Sequence, residues 1–186
     1  MIPVIPAGQD VLDLGRHPTT LAEIESRFVT DPQFAASTTR AKIWSDWLNA
    51  TAFLRSVVPV SAAWIGGSFT TTKLDPDDVD SLYIVDDATL ALAKVDPTKN
   101  RVLGQFAGGK LVRAATGLQV DTYLCAWRQV VDPARRNGLD KSYYEDRGHW
   151  DDWWQRRRMV SKTAPLTRAD ALPRRGYLEV ILDGFA

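Results

Sequence analysis

The sequence predicts a mixed α/β (α+β) domain, a mixed β-sheet flanked by helices. Short apolar runs of strand length alternate with stretches of helical periodicity. Their order, ααβ–β–α–β–α–β, suits one layered sheet domain, and 186 residues at 45% hydrophobic content suffice for a sizeable core. Helices standing before the first strand argue against a dinucleotide-binding start. The expected organisation is one domain over 1–186: an extended arm at 1–18, helices at 19–58, a core at 59–127, and a helix and closing strand at 128–186.

Residues 1–18 carry three prolines and two glycines and read as an arm lying over the domain. Thr20-Leu21-Ala22-Glu23 is a capping box that opens a helix through Phe28, with Leu21, Ile24 and Phe28 on one face. A longer helix from Thr38 to Val58 places Ile43, Trp47, Ala50, Leu54 and Val58 at helical spacing, and Pro59 ends it. Ala62 to Ile65 is a strand. A Gly66-Gly67-Ser68 turn and a polar stretch from Thr70 to Asp77 lead to a second strand, Val79 to Val85.

Ala88 to Val95 reads as a helix closed by Asp96-Pro97, and Arg101 to Ala107 as another ending at Gly108-Gly109. Leu118 to Trp127 is a strand with Leu118, Val120, Thr122 and Leu124 on one face and Gln119, Asp121 and Tyr123 on the other. A tryptophan-rich helix from Tyr143 to Val160 and a strand from Tyr177 to Leu182 complete the chain. On that helix Trp150 and Trp154 share a buried face, with Arg156 to Arg158 near or beyond its end. Tryptophans at that spacing belong to a core more readily than to an exposed nucleic-acid platform.

Twenty-three basic and 23 acidic residues cancel, so no global field draws nucleic acid. Cys125, the single cysteine, excludes an internal disulfide and reads as a buried, inert thiol. The N-terminal residues lack signal-peptide character and no apolar run reaches membrane-spanning length, so a cytoplasmic protein without a membrane partner is expected.

The most informative pattern is Gly67-Ser68, nine intervening residues, then Asp78-Val79-Asp80. Residues two apart on a strand share a face about 6.6 Å apart along the chain. Asp78 and Asp80, beside a turn with open backbone N–H groups, can therefore hold a divalent metal–triphosphate. Lys73, between the two halves of the motif, contacts either a phosphate or only solvent. Gly104 to Leu111 fails as a P-loop because Leu111 replaces the Ser/Thr, and Gly66 to Thr70 lacks the last glycine of a nucleophile elbow. His17 and His149 have no ligands at zinc spacing.

This pattern resembles the nucleotidyltransferase superfamily, the fold of DNA polymerase beta-type enzymes. Gly15 to Thr20, Glu23 to Phe28, Gly67 to Lys73, Pro76 to Asp80 and the closing Arg175-Gly176-Tyr177 together resemble a small bacterial and phage family within it. The resemblance implies a third carboxylate on a later strand, for which Asp121 is the candidate. Ser81 departs from the pattern, which places an apolar residue after the carboxylate pair.

It also implies a Mg²⁺- or Mn²⁺-dependent transfer of NMP from a nucleoside triphosphate to a hydroxyl of a protein, RNA or small molecule. Asp78, Asp80 and Asp121 are the expected catalytic and metal residues, and Gly67, Ser68 and Lys73 the expected nucleotide contacts. The alternative is a non-catalytic nucleotide-binding or protein-interaction domain on the same fold, with a partner protein from a toxin–antitoxin or phage-defence pair.

Overall fold

The computed structural model describes residues 1–135, 137–160 and 163–185. Five strands form one mixed sheet: β1 (Gly15–Thr19), β2 (Ala62–Gly66), β3 (Val79–Asp86), β4 (Val120–Trp127) and β5 (Gly176–Ile181). Their spatial order is β1-β5-β2-β3-β4. β1 runs parallel to β5 and β3 parallel to β4, while β2 is antiparallel to both of its neighbours. The helices are α1 (Leu21–Phe28), α2 (Arg40–Arg55), α3 (Asp87–Val95), α4 (Pro97–Phe106), α5 (Leu111–Thr116) and α6 (Gly138–Gln155). No helix among the described residues is long and apolar enough to cross a membrane.

Side-chain alternation divides the sheet into two buried faces. Ala63, Ile65, Val79, Tyr83, Val85, Val120, Leu178 and Val180 pack against apolar residues of α1 to α5, including Phe28, Trp47, Leu54 and Phe106. Ala62, Trp64, Leu82, Ile84, Cys125 and Tyr177 form the other face with Trp154 of α6. The parallel β3–β4 pair requires a crossover, which α3 to α5 supply. Arg128, just past β4, holds both Asp87 at the start of α3 and Asp140 of the α6 capping box. At the other end of α6 the Gln155 carbonyl accepts the Arg174 and Arg175 amides, tying the helix to the start of β5.

Several expected boundaries move. The arm at 1–18 buries Ile2, Ile5, Val11 and Leu12 and ends in β1, which the prolines obscured. Pro18 is tolerated because β1 is an edge strand. The expected second helix is shorter at both ends, starting at Arg40 and stopping at Arg55; at its start Ser37 and Thr38 instead bind Asp75. α5 was not expected: its six residues are too few to show periodicity. The tryptophan helix begins earlier, at an Asn137 cap, and stops at Gln155, so residues 156–160 are corrected to a non-helical segment. Trp154 is 2% exposed, Trp150 half-buried and Trp153 exposed. Arg156 pairs with Asp152 and Arg157 with Asp10, so neither is an unpaired patch cation.

Candidate functional site

The β2–β3 connection carries the Gly67-Ser68 half of the motif, and a single buried side chain holds it. Arg40, 1% exposed on α2, donates to the carbonyls of Phe28, Phe69, Thr71, Lys73 and Leu74. Its guanidinium also lies 3.7 Å from the Phe34 ring centroid. Burial pushes the Arg40 pKa down to about 10, opposed by the Asp75 charge, so it stays protonated at neutral pH. Asp75 in turn accepts from the Thr38 amide and the Ser37 and Thr38 hydroxyls. The loop is thus shaped from the helix beneath it.

The motif converges at the end of β2. Gly67 has φ 75°, and a Cβ built there would lie 1.9 Å from Asp80 Oδ2. Glycine is required by both the backbone conformation and the close approach. Asp80 and Asp121 are register partners on adjacent parallel strands. Neighbouring strands run about 4.8 Å apart and register partners share a face, so the two carboxylates stand side by side on the α6 face. Asp121 is 7% exposed. The Tyr123 hydroxyl is raised first by burial, then by the charges of Asp80, Asp121 and Asp78, which puts all three in one local field.

Asp78 is held differently. It precedes β3, and Arg113 of α5 donates to it at 3.1 Å. Among the described residues no group of three or more His, Cys, Asp or Glu side chains is disposed to hold a metal ion. Of the three expected carboxylates, Asp80 and Asp121 are juxtaposed, while Asp78 is engaged by Arg113. A pair of neighbouring carboxylates fits one hard divalent cation whose remaining positions go to water and phosphate oxygens.

Of the expected nucleotide contacts, Gly67 lies on the carboxylate pair, Ser68 is half-buried in the adjoining turn, and Lys73 is ion-paired with Asp77 at 2.9 Å. The unforeseen cation is Arg175. Its Nε donates to the Trp154 carbonyl at 3.1 Å, and the Asp80 charge acts on it. Burial is the larger influence and lowers its pKa. Among the described residues no carboxylate lies within ion-pair distance of it, and no local pattern in the sequence singles it out.

Trp154 closes the site from above. Its indole Nε1 would lie 3.1 Å from a Cβ on Gly66, the strand partner of Asp80. That N–H is buried with no acceptor among the described residues. Beneath the site, the Ser81 departure has a structural explanation: its hydroxyl accepts the buried Trp47 indole N–H at 3.0 Å.

Residues 6–181 match the model of a family of unknown function (DUF6932), and the chain belongs to that family. No curated protein and no solved structure matches it.

Proposed function

We propose that this member of the DUF6932 family is a divalent-metal-dependent nucleotidyltransferase. The observation that carries the reading is the register pairing of Asp80 with Asp121 on one sheet face, with Gly67 pressed against the Asp80 carboxylate. Asp80 and Asp121 would hold Mg²⁺ or Mn²⁺, with Asp78, held by Arg113, close by in the same local field. When bound, such a metal would supply charge neutralisation of the triphosphate and ease loss of the acceptor proton. Gly67 and Ser68 offer backbone N–H groups and a hydroxyl to the phosphates. Arg175, on which the Asp80 charge acts, and the Trp154 indole beside Gly66 would add donors for the phosphates.

The acceptor oxygen attacks the α-phosphorus and the α–β bridging P–O bond breaks. Pyrophosphate leaves with the electron pair, and the acceptor proton passes to Asp121. Positioning and charge neutralisation supply most of the catalysis.

The Asp78–Arg113 ion pair favours a second reading, a nucleotide-binding or protein-interaction domain without turnover. The two readings separate on incubation with each α-labelled nucleoside triphosphate, Mn²⁺ and pools of RNA, protein or small-molecule acceptors. Transfer predicts a labelled acceptor, released pyrophosphate, and a loss of labelling in Asp121→Ala that is more complete than its loss of nucleotide affinity. Binding without label transfer for all four nucleotides supports the second reading.

A further inference from the structure

On the same sheet face, a groove of about 530 Å³ runs between α6 and strands β1 and β2. Trp64 is its floor and is 1% exposed, with its indole N–H committed to Glu179 at 2.9 Å. Two guanidinium groups converge on that ring, Arg16 at 5.6 Å and Arg147 at 5.4 Å from the centroid. Arg16 is neutralised by Glu179 at 3.3 Å.

Arg147 is not neutralised in this way. Asp151 stands at i+4, the spacing of a helical ion pair, but its oxygens accept from Tyr177 and Gln155 instead. Arg147 donates to the Tyr143 hydroxyl at 3.0 Å, and among the described residues no carboxylate lies within ion-pair distance of it. Its guanidinium lines the groove together with the Asp151 carboxylate, whose oxygens are taken up by the Tyr177 and Gln155 donors.

Gly148 is the independent observation. A glycine inside a helix costs about 1 kcal/mol relative to alanine. Among the described residues no atom lies within 4 Å of a Cβ placed there, so no neighbour requires glycine at this position. It lies in α6 and lines the groove, so the missing side chain leaves room for something outside the chain.

The groove also adjoins the carboxylate site. Trp64 precedes Gly66 by two strand residues, about 6.6 Å. Gln155 lines the groove and receives the Arg175 amide through its carbonyl.

We infer that this groove is the acceptor subsite and takes a phosphate-bearing ligand of nucleotide size, with Arg147 on the phosphate and Gly148 providing its space. A cavity of this volume suits such a ligand, and a guanidinium is suited to phosphate oxygens. The assignment to an acceptor rests on the nucleotidyltransferase reading; the binding of an organophosphate does not.

The test is calorimetric titration in EDTA with three probes: a 5′-phosphorylated dinucleotide, its unphosphorylated form and ribose 5-phosphate. The full chain should bind a phosphorylated probe. Kd should weaken at least tenfold on removal of the probe's phosphate, in Arg147→Gln, and in Gly148→Leu, a substitution that favours the helix. A preference for the dinucleotide points to a nucleic-acid end, and equal binding of ribose 5-phosphate to a small sugar phosphate; both support the subsite. Equal affinities across the wild type and both variants, indifference to the phosphate, or no binding of either phosphorylated probe would overturn it. Asp80→Asn/Asp121→Asn should retain groove binding while losing metal–triphosphate binding, so failure of the groove and failure of the nucleotidyltransferase reading are distinguishable.

Discussion

Replacing Arg40 by methionine tests how the motif loop is held. Methionine keeps an unbranched apolar stem beneath Phe34 but removes every guanidinium donor. Two of its five carbonyl partners, Phe28 and Phe69, are reached through fully buried bonds of 2.9 and 2.8 Å. A buried acceptor left without a donor costs about 1–3 kcal/mol. The Thr71, Lys73 and Leu74 carbonyls are only part-buried and recover water. The two buried orphans at that cost give an expected destabilisation of about 2–6 kcal/mol. That is a large fraction of a typical domain's 5–15 kcal/mol, so the variant should fold with a much lower urea midpoint. Hydrogen exchange should rise first in residues 69–77. A change below about 1 kcal/mol with unchanged exchange in that segment would refute the argument.

Trp154→Ala should cost about 3–5 kcal/mol, because the ring is 2% exposed and packs edge-on against Tyr123 and Trp150; a near-wild-type urea midpoint would contradict this. Asp170 accepts from the Met159 and Thr167 amides and the Thr167 hydroxyl, which holds its carboxyl down to about 2. A pKa depressed in the folded state stabilises above the unfolded value of about 3.9 and loses that contribution as pH falls toward 2. The stability gap between wild type and Asp170→Asn, measured by urea unfolding, should therefore be present at pH 6 and shrink below about pH 4. A gap independent of pH would contradict the assignment.

Elements with a strong local signal were legible in the sequence. The Thr20–Glu23 capping box is present on both sides, with Glu23 accepting the Thr20 amide at 2.9 Å. The alternation in β4 put Asp121 and Tyr123 on the face opposite Val120 and Thr122, as the two core layers require. Cys125 is 5% exposed and its thiol is pushed up to about 11, chiefly by burial, consistent with an inert core cysteine. What escaped was set by contacts distant in sequence. β1 exists because β5 offers it a parallel partner more than 150 residues away. Arg40 looks like any helix-start arginine until the β2–β3 loop closes over it.

The site followed the same division. The Gly67–Asp80 approach was readable as spacing, because one turn and one strand suffice to create it. The engagement of Asp78 by Arg113, and the placing of Arg175 beside Asp80, depend on the crossover and on the closing strand. Neither leaves a local mark in the chain.

The most direct measurement is calorimetric titration of the full chain with Mn²⁺ and each nucleoside triphosphate. The juxtaposition of Asp80 and Asp121 beneath Gly67 predicts saturable binding of at least one nucleotide that requires the metal. That binding should be lost in Asp80→Asn/Asp121→Asn and weakened in Gly67→Ala, with circular dichroism unchanged in the carboxylate variant. Nucleotide binding that ignores the metal and survives both substitutions, or no binding of any of the four nucleotides, would contradict the account.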